Sequence, residues 1–141
     1  MEAVADLKQR MGIEASRDNL AIELVTEAGV RKRLRLDAAK AGVMLWRNNV
    51  GAYFDDNGNF IRYGLANDSA AMNKRVKSSD LIGLKPNGQF VCREVKAPGW
   101  TYSGTPREKA QLQFIELVLA KGGDAEFSTG QLDIDPPVNT D

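Results

Sequence analysis

The chain has 141 residues, 43% of them hydrophobic and 27% charged, which bounds it to one globular domain with a single core. It contains no histidine and one cysteine, which excludes Ser-His-Asp and Cys-His nucleophilic catalysis, an internal disulfide and the usual zinc ligand sets. Any metal is therefore expected to be held by oxygens, which suits Mg²⁺ or Mn²⁺. A formal net charge of zero hides a segregation: residues 31–121 carry 16 Lys/Arg against 8 Asp/Glu, and the two flanks carry 3 against 11. A basic centre is compatible with a polyanionic partner. No apolar run approaches the ~20 residues of a membrane span. The opening MEAVADLKQR lacks a signal-peptide pattern, so no membrane contact and a cytoplasmic setting are expected.

Residues 1–19 show little periodicity and read as an arm or a short peripheral helix, and the N-terminal arm as a whole is expected to cover residues 1–25. Thr26 is the expected N-cap of a helix beginning at Glu27, with Val30, Leu34, Ala38 and Ala41 on one face and Gly42 as its stop. Glu27 falls on the same inward stripe, one turn before Val30. VMLWR (43–47) reads as a buried strand with Trp46 in the core. GAYF and NFIRYG flank Asp55-Asp56-Asn57-Gly58, a hairpin signal. Residues 65–79 read as a small, polar and basic loop. DLIGL and QFVCREVK surround KPNG, a second hairpin. A loop over 97–106 precedes a helix from Arg107 to Lys121, with Phe114, Leu117 and Val118 on its apolar face. AEFS is a last short strand, and an acidic tail covers residues 129–141. This order predicts an α/β fold with a central mixed β-sheet flanked by helices.

The stretch REVKAPGW places Glu94 and Lys96 two residues apart on a strand, so their side chains share a face. One reading is a surface ion pair worth under ~1 kcal/mol. The other comes from the partner strand, where Asp80 stands at the start of the second hairpin. Across a tight turn, Asp80 and Glu94 come within reach of one ion. Two carboxylate donors with waters and substrate phosphate are how Mg²⁺ is commonly held. Such an ion lowers the pKa of its water and neutralises charge building on phosphorus. Lys96 would orient or deprotonate the attacking water, or stabilise the developing oxyanion.

Four segments, TEAGVRKRLRLDAAKAGVMLWRNNVGAY, RYGL, SSDLIGLKPNGQFVCREVKAPG and EKAQLQFIELVLAKGGDAEF, together resemble the VRR-NUC family of the PD-(D/E)XK nuclease superfamily, whose members are often short phage-type proteins. The resemblance covers roughly residues 26–128 and implies a restriction-endonuclease-like core. It implies that Asp80 and Glu94 are metal carboxylates, that Val95 offers its backbone carbonyl, and that Lys96 is the catalytic lysine. By the same resemblance, Glu27 holds a metal-bound water or a second ion. Gln111 is the helix glutamine facing the site, with Gln113 as its competitor. The superfamily's name implies a proline before the first Asp, and Ser79 stands there instead.

Beside these, Cys92 reads as a small buried hydrophobe. Trp100 either stacks on a base or packs locally. Arg47 ends a strand at the expected site and reads as a phosphate contact. Lys74, Arg75 and Lys77 lie just before Asp80, either as a phosphate-binding element or as solvated surface. The expectation is a Mg²⁺- or Mn²⁺-dependent DNA endonuclease without an organic cofactor. The resemblance implies branched DNA such as a Holliday junction, and a homodimer, since symmetric cleavage needs two sites. A flap or DNA-end nuclease for phage replication or packaging, and a non-catalytic DNA-binding module, are the alternatives.

Overall fold

The computed structural model describes residues 26–132. The expected arm (1–25) and residues 133–141 of the expected tail lie outside them. Helix α1 (Glu27–Lys40) is capped by Thr26, whose hydroxyl accepts from the Gly29 amide at 3.0 Å. Its buried stripe is Gly29, Val30, Leu34 and Ala38, one residue per turn along one face. Ala41, expected on that stripe, is the exposed C-cap. Glu27, also expected inward, is exposed. It is the first residue of the helix, ahead of Gly29 and Val30, where the buried stripe begins.

Six strands follow: β1 (Met44–Arg47), β2 (Gly51–Phe54), β3 (Phe60–Tyr63), β4 (Leu81–Leu84), β5 (Phe90–Val95) and β6 (Asp124–Ser128). The main sheet has the order β1-β4-β5-β6, and β2 and β3 form a separate two-stranded hairpin. β1 with β4 and β4 with β5 are antiparallel, whereas β5 and β6 are parallel. The parallel pair requires a crossover, which is helix α3 (Pro106–Ala120). The chain is therefore mixed α/β, with a mixed four-stranded sheet, a small second sheet and helices.

Strand parity sorts β5 into two functions. Val91 and Val95 join Leu81, Val43 and Leu45 beneath α1 in one core cluster. Cys92 lies on the opposite face with Phe114, Ile115, Val118 and Ala125, and Glu94 and Lys96 continue that face. Cys92 is fully buried, as expected, and burial pushes its thiol up to about 12. Arg93 is buried too, and pairs with Asp124 at 2.9 Å and Glu126 at 3.3 Å on β6. Lys85 adds a 2.9 Å bridge to Asp124. Burial opposes ionisation of Asp124, but these bonds to Arg93 and Lys85 hold its pKa below the ordinary value.

Three expectations change. Residues within the expected 65–79 loop form a helix, α2 (Ala70–Arg75), capped by Ser69, whose hydroxyl accepts from the Met72 amide at 3.0 Å. Trp46, expected in the core, is 46% exposed. It sits on edge strand β1, on the face that α3 would cover, and α3 packs over β5 and β6 instead. Leu117, expected on the apolar stripe, is exposed, and Ile115 is buried in its place. The stripe of α3 runs through Ala110, Gln111, Phe114, Ile115 and Val118, which leaves Leu117 at its margin.

Gly83 is the tightest point of the sheet: a Cβ there would lie 1.7 Å from the Met44 carbonyl oxygen. That contact is with backbone, so no rotamer change relieves it. Gly83→Ala should separate β1 from β4 and lower stability by at least the ~1–3 kcal/mol of an overpacked core. A urea denaturation midpoint indistinguishable from wild type would contradict this.

Candidate functional site

The site is assembled where β4 and β5 begin to diverge. Leu81 is opposite Arg93, so Asp80 and Glu94 stand across from one another one step further on. The pairing is secured by side chains. The Asp80 amide donates to Glu94 Oε2 at 3.2 Å, and the Val95 amide donates to Asp80 Oδ2 at 3.0 Å. Each carboxylate thus accepts from the other strand's backbone, which fixes both where they line a cleft.

Helix α3 closes the arrangement from above. Its N-terminus is a capping box, in which Thr105 Oγ1 accepts from the Glu108 amide and Glu108 accepts from the Thr105 amide. One turn later, Gln111 is buried against the sheet. Its Nε2 donates to Glu94 Oε1 at 3.0 Å, and its Oε1 accepts from Lys96 Nζ at 2.8 Å. Both ends of the amide are therefore assigned. Lys96 is buried, with its ammonium 5.4 Å from the Trp100 ring centre and 5.8 Å from that of Phe127. Trp100 packs locally: its ring lies 4.8 Å from Phe127, and its Nε1 donates to Glu108 at 2.8 Å. Four donors converge on Glu108, from Trp100, Thr105 and twice from Ser103, and they hold its carboxyl down at about 2.

The cleft has a volume of about 640 Å³. Asp80, Glu94 and Gln111 form its floor, and Arg47, Arg62, Lys77 and Arg107 supply four cations to its walls. Lys77 Nζ donates to Asn73 Oδ1 at 2.6 Å. Burial, with the Arg107 charge beside it, holds the Lys77 pKa below the ordinary lysine value. Of the residues expected at the site, Asp80, Glu94, Gln111, Arg47 and Lys77 line the cleft. Lys96 stands behind Gln111, and Val95 is buried behind Glu94 with its amide committed to Asp80. Lys74 and Arg75 border a separate depression between α2 and α3. Glu27 does not line the cleft.

Arg107, Arg62 and Asn67 also line the cleft, beyond the residues expected there. Arg107 had a usable signal, since it precedes Gln111 by four residues and so shares its helix face. Arg62 and Asn67 had none, because the packing of the hairpin brings them in. Asn67 is buried, and its amide donates to the Gly51 and Tyr63 carbonyls at 2.9 and 3.0 Å. Asn48 does the same for β4: its amide donates to Ser78 Oγ at 2.8 Å and to the Ser79 carbonyl at 2.9 Å.

Burial raises the Glu94 pKa from 4.5 to about 8, and the negative charge of Asp80 adds to the rise while Lys96 opposes it. Among the described residues, no group of three or more His, Cys, Asp or Glu side chains is placed to share an ion. The donor set is thus two carboxylates open to a cleft. That matches Mg²⁺, which keeps several waters and takes one or two carboxylates with phosphate oxygens. No protein-family model, curated protein or solved structure matches the chain.

Folding favours the protonated form of Glu94. Its contribution to stability is therefore full below about pH 4.5 and is lost as pH rises through about 8. In chelator, wild-type stability should fall across that window more than that of Glu94→Gln, which has no proton to lose. Thermal midpoints taken from pH 4.5 to 8.5 check this, and parallel curves for the two proteins would refute it.

Proposed function

We propose that this chain is a Mg²⁺- or Mn²⁺-dependent endodeoxyribonuclease with a restriction-endonuclease-like core of the VRR-NUC type. The observation that carries the reading is the Asp80–Glu94 pair, cross-bonded between adjacent strands and facing a cleft walled by Arg47, Arg62, Lys77 and Arg107. Two juxtaposed acids beneath four cations suit a site for a divalent ion and a phosphodiester together.

Asp80 and Glu94 would hold the ion through carboxylate oxygens, with the Val95 carbonyl as a further donor. When bound, the ion supplies charge neutralisation at phosphorus and a water of lowered pKa. Gln111 fixes the orientation of Glu94 by donating to Oε1, which leaves Oε2 beside the Asp80 amide. Lys96 holds the far end of Gln111, and its charge favours ionised Glu94 against the cost of burial. Arg47, Arg62 and Arg107 line the cleft and would take the non-bridging oxygens of the scissile and neighbouring phosphates. Such contacts position the backbone without reading sequence. Branched DNA is the proposed substrate class, cleaved by a homodimer in which each copy brings one site. Lys74 and Arg75, on the depression beside α2, would extend the phosphate track.

Asp80→Asn and Glu94→Gln should each abolish Mg²⁺-dependent cleavage of four-way and flapped DNA while leaving folding and DNA binding intact. More than a few per cent of residual activity in either would defeat the assignment.

Lys96→Ala should lower the rate at saturating Mg²⁺ by roughly 10²–10⁴, the range of a lost acid–base group. Gln111→Ala distinguishes two routes to that loss. If Lys96 acts only by anchoring Gln111, both variants should fall equally and recover in excess Mn²⁺. If Lys96 handles the water, Lys96→Ala should stay slow whatever the metal concentration.

A further inference from the structure

The β2–β3 hairpin stands at the rim of the cleft, and its strands carry four large aromatic side chains that remain exposed: Tyr53, Phe54, Phe60 and Tyr63. A two-stranded hairpin by itself is marginally stable in water, yet this one has a built root. The buried Asn67 amide ties the Gly51 and Tyr63 carbonyls together, and its Oδ1 accepts from Arg62 at 3.2 Å. The segment after the hairpin is tied to the wall that holds Asn48 and Asp80, since the Leu65 amide donates to Asn48 Oδ1 at 3.4 Å and the Ser78 hydroxyl donates to the Leu65 carbonyl at 2.5 Å. Gly51 and Tyr63 both line the cleft.

Register gives the two faces of the hairpin different characters. Phe54 pairs with Phe60 near the turn, and Gly51 pairs with Tyr63 at the root. Tyr53 and Tyr63 project from the same face, with ring centres 6.2 Å apart. Tyr63 is seated over Gly51, where a Cβ would come within 2.4 Å of its hydroxyl. The glycine is thus required for the ring to lie across the strand. Seated in this way, Tyr63 is still 46% exposed and Tyr53 is 53% exposed. Their polar hydroxyls and flat apolar rings suit a partner with one flat face and a wet edge.

We infer that the Tyr53–Tyr63 face stacks an unpaired nucleobase of the strand whose phosphodiester lies over Asp80 and Glu94. This rests on the nuclease reading and narrows its substrate to DNA with unpaired nucleotides beside the scissile phosphate. Continuity with the cleft favours a nucleobase over a second copy of the chain. Tyr63 lines the same cleft as Arg47, Lys77 and Arg107, so a backbone tracked by those cations delivers its next base to the rings. Arg62, on the opposite face of the hairpin with its guanidinium 5.0 Å from the Phe60 ring centre, adds positive charge without sharing the tyrosine face. Stacking of this kind tolerates any base, since every base has a π-face.

The test uses the full chain in chelator, so that binding is read without cleavage. A forked DNA carries 2-aminopurine as its first unpaired base, and a blunt duplex of the same length is the comparison. Wild type should quench the fluorophore on binding. Tyr53→Ala/Tyr63→Ala should weaken binding to the fork by about 5- to 150-fold and leave the blunt duplex unchanged, and Tyr53→Phe/Tyr63→Phe should retain fork binding. Unchanged emission when wild type binds would overturn the inference without reference to any variant. Equal loss for fork and duplex would also overturn it. So would a sedimentation shift from dimer to monomer in the alanine variant, which would assign the hairpin to a protein interface. Mg²⁺-dependent cleavage without quenching would sink the stacking inference alone. Quenching with no cleavage of any DNA in Mg²⁺ would support stacking while removing the nuclease reading.

Discussion

Two carboxyl groups facing each other at the end of adjacent central strands are the constraint around which the rest is arranged. Like charges at this separation, one of them buried, cannot both ionise without compensation. The fold compensates in parts. Asp80 accepts from the Val95 amide, and Glu94 accepts from the Asp80 amide and from Gln111. Without a cation, the residual cost falls on Glu94, whose pKa rises to about 8. A divalent ion would reverse that cost, because the nearest charge would then be positive. The same strain that burdens the metal-free protein would favour metal binding.

Gln111 is the hinge between chemistry and packing. A glutamine carries a donor and an acceptor on one rigid plane, and here both are committed, one to Glu94 and one to Lys96. A carboxylate at that position would add a third negative charge, and an apolar side chain would leave Lys96 buried without its acceptor. Behind it, Trp100 and Phe127 face the ammonium, and Trp100 is held by Glu108. Glu108 belongs to the capping box of α3, so the start of that helix and the position of the lysine depend on one another. Loss of the cap would be felt at Glu94 through Trp100, Lys96 and Gln111.

The cleft walls depend on asparagines. Asn48 binds the segment entering β4 through Ser78 and Ser79, and Asn67 closes the root of the β2–β3 hairpin. Both are side-chain amides that donate to backbone carbonyls, Asn48 to Ser79 and Asn67 to Gly51 and Tyr63. They make rigid an irregular region where Arg47, Arg62 and Lys77 must converge. A flexible wall would scatter those cations and weaken the joint attraction for phosphate proposed for them.

The sequence by itself determined the local elements and the central pair. Thr26 and Gly42 bracketed α1, Asn57-Gly58 and Pro86-Asn87-Gly88 marked the two hairpins, and strand parity placed Glu94 and Lys96 on one face opposite Val95. Those features rest on neighbours within a few residues, so periodicity and turn chemistry suffice to read them. The Asp80–Glu94 approach was also legible, because a short hairpin fixes register. Tertiary structure alone decided the rest. Trp46 is as apolar as any core residue, and only the placement of α3 over β5 and β6 leaves it exposed. Glu27 has the spacing of an inward residue, but it lies at the exposed start of α1, ahead of the buried Gly29 and Val30. Lys96 shares a face with Glu94, yet its ammonium contacts Gln111 and the aromatic rings and does not line the cleft. That outcome depends on a helix ten residues away in sequence docking above it. Arg62 and Asn67 enter the site because a hairpin packs against the wall at its root, a contact between surfaces that no spacing in the chain encodes.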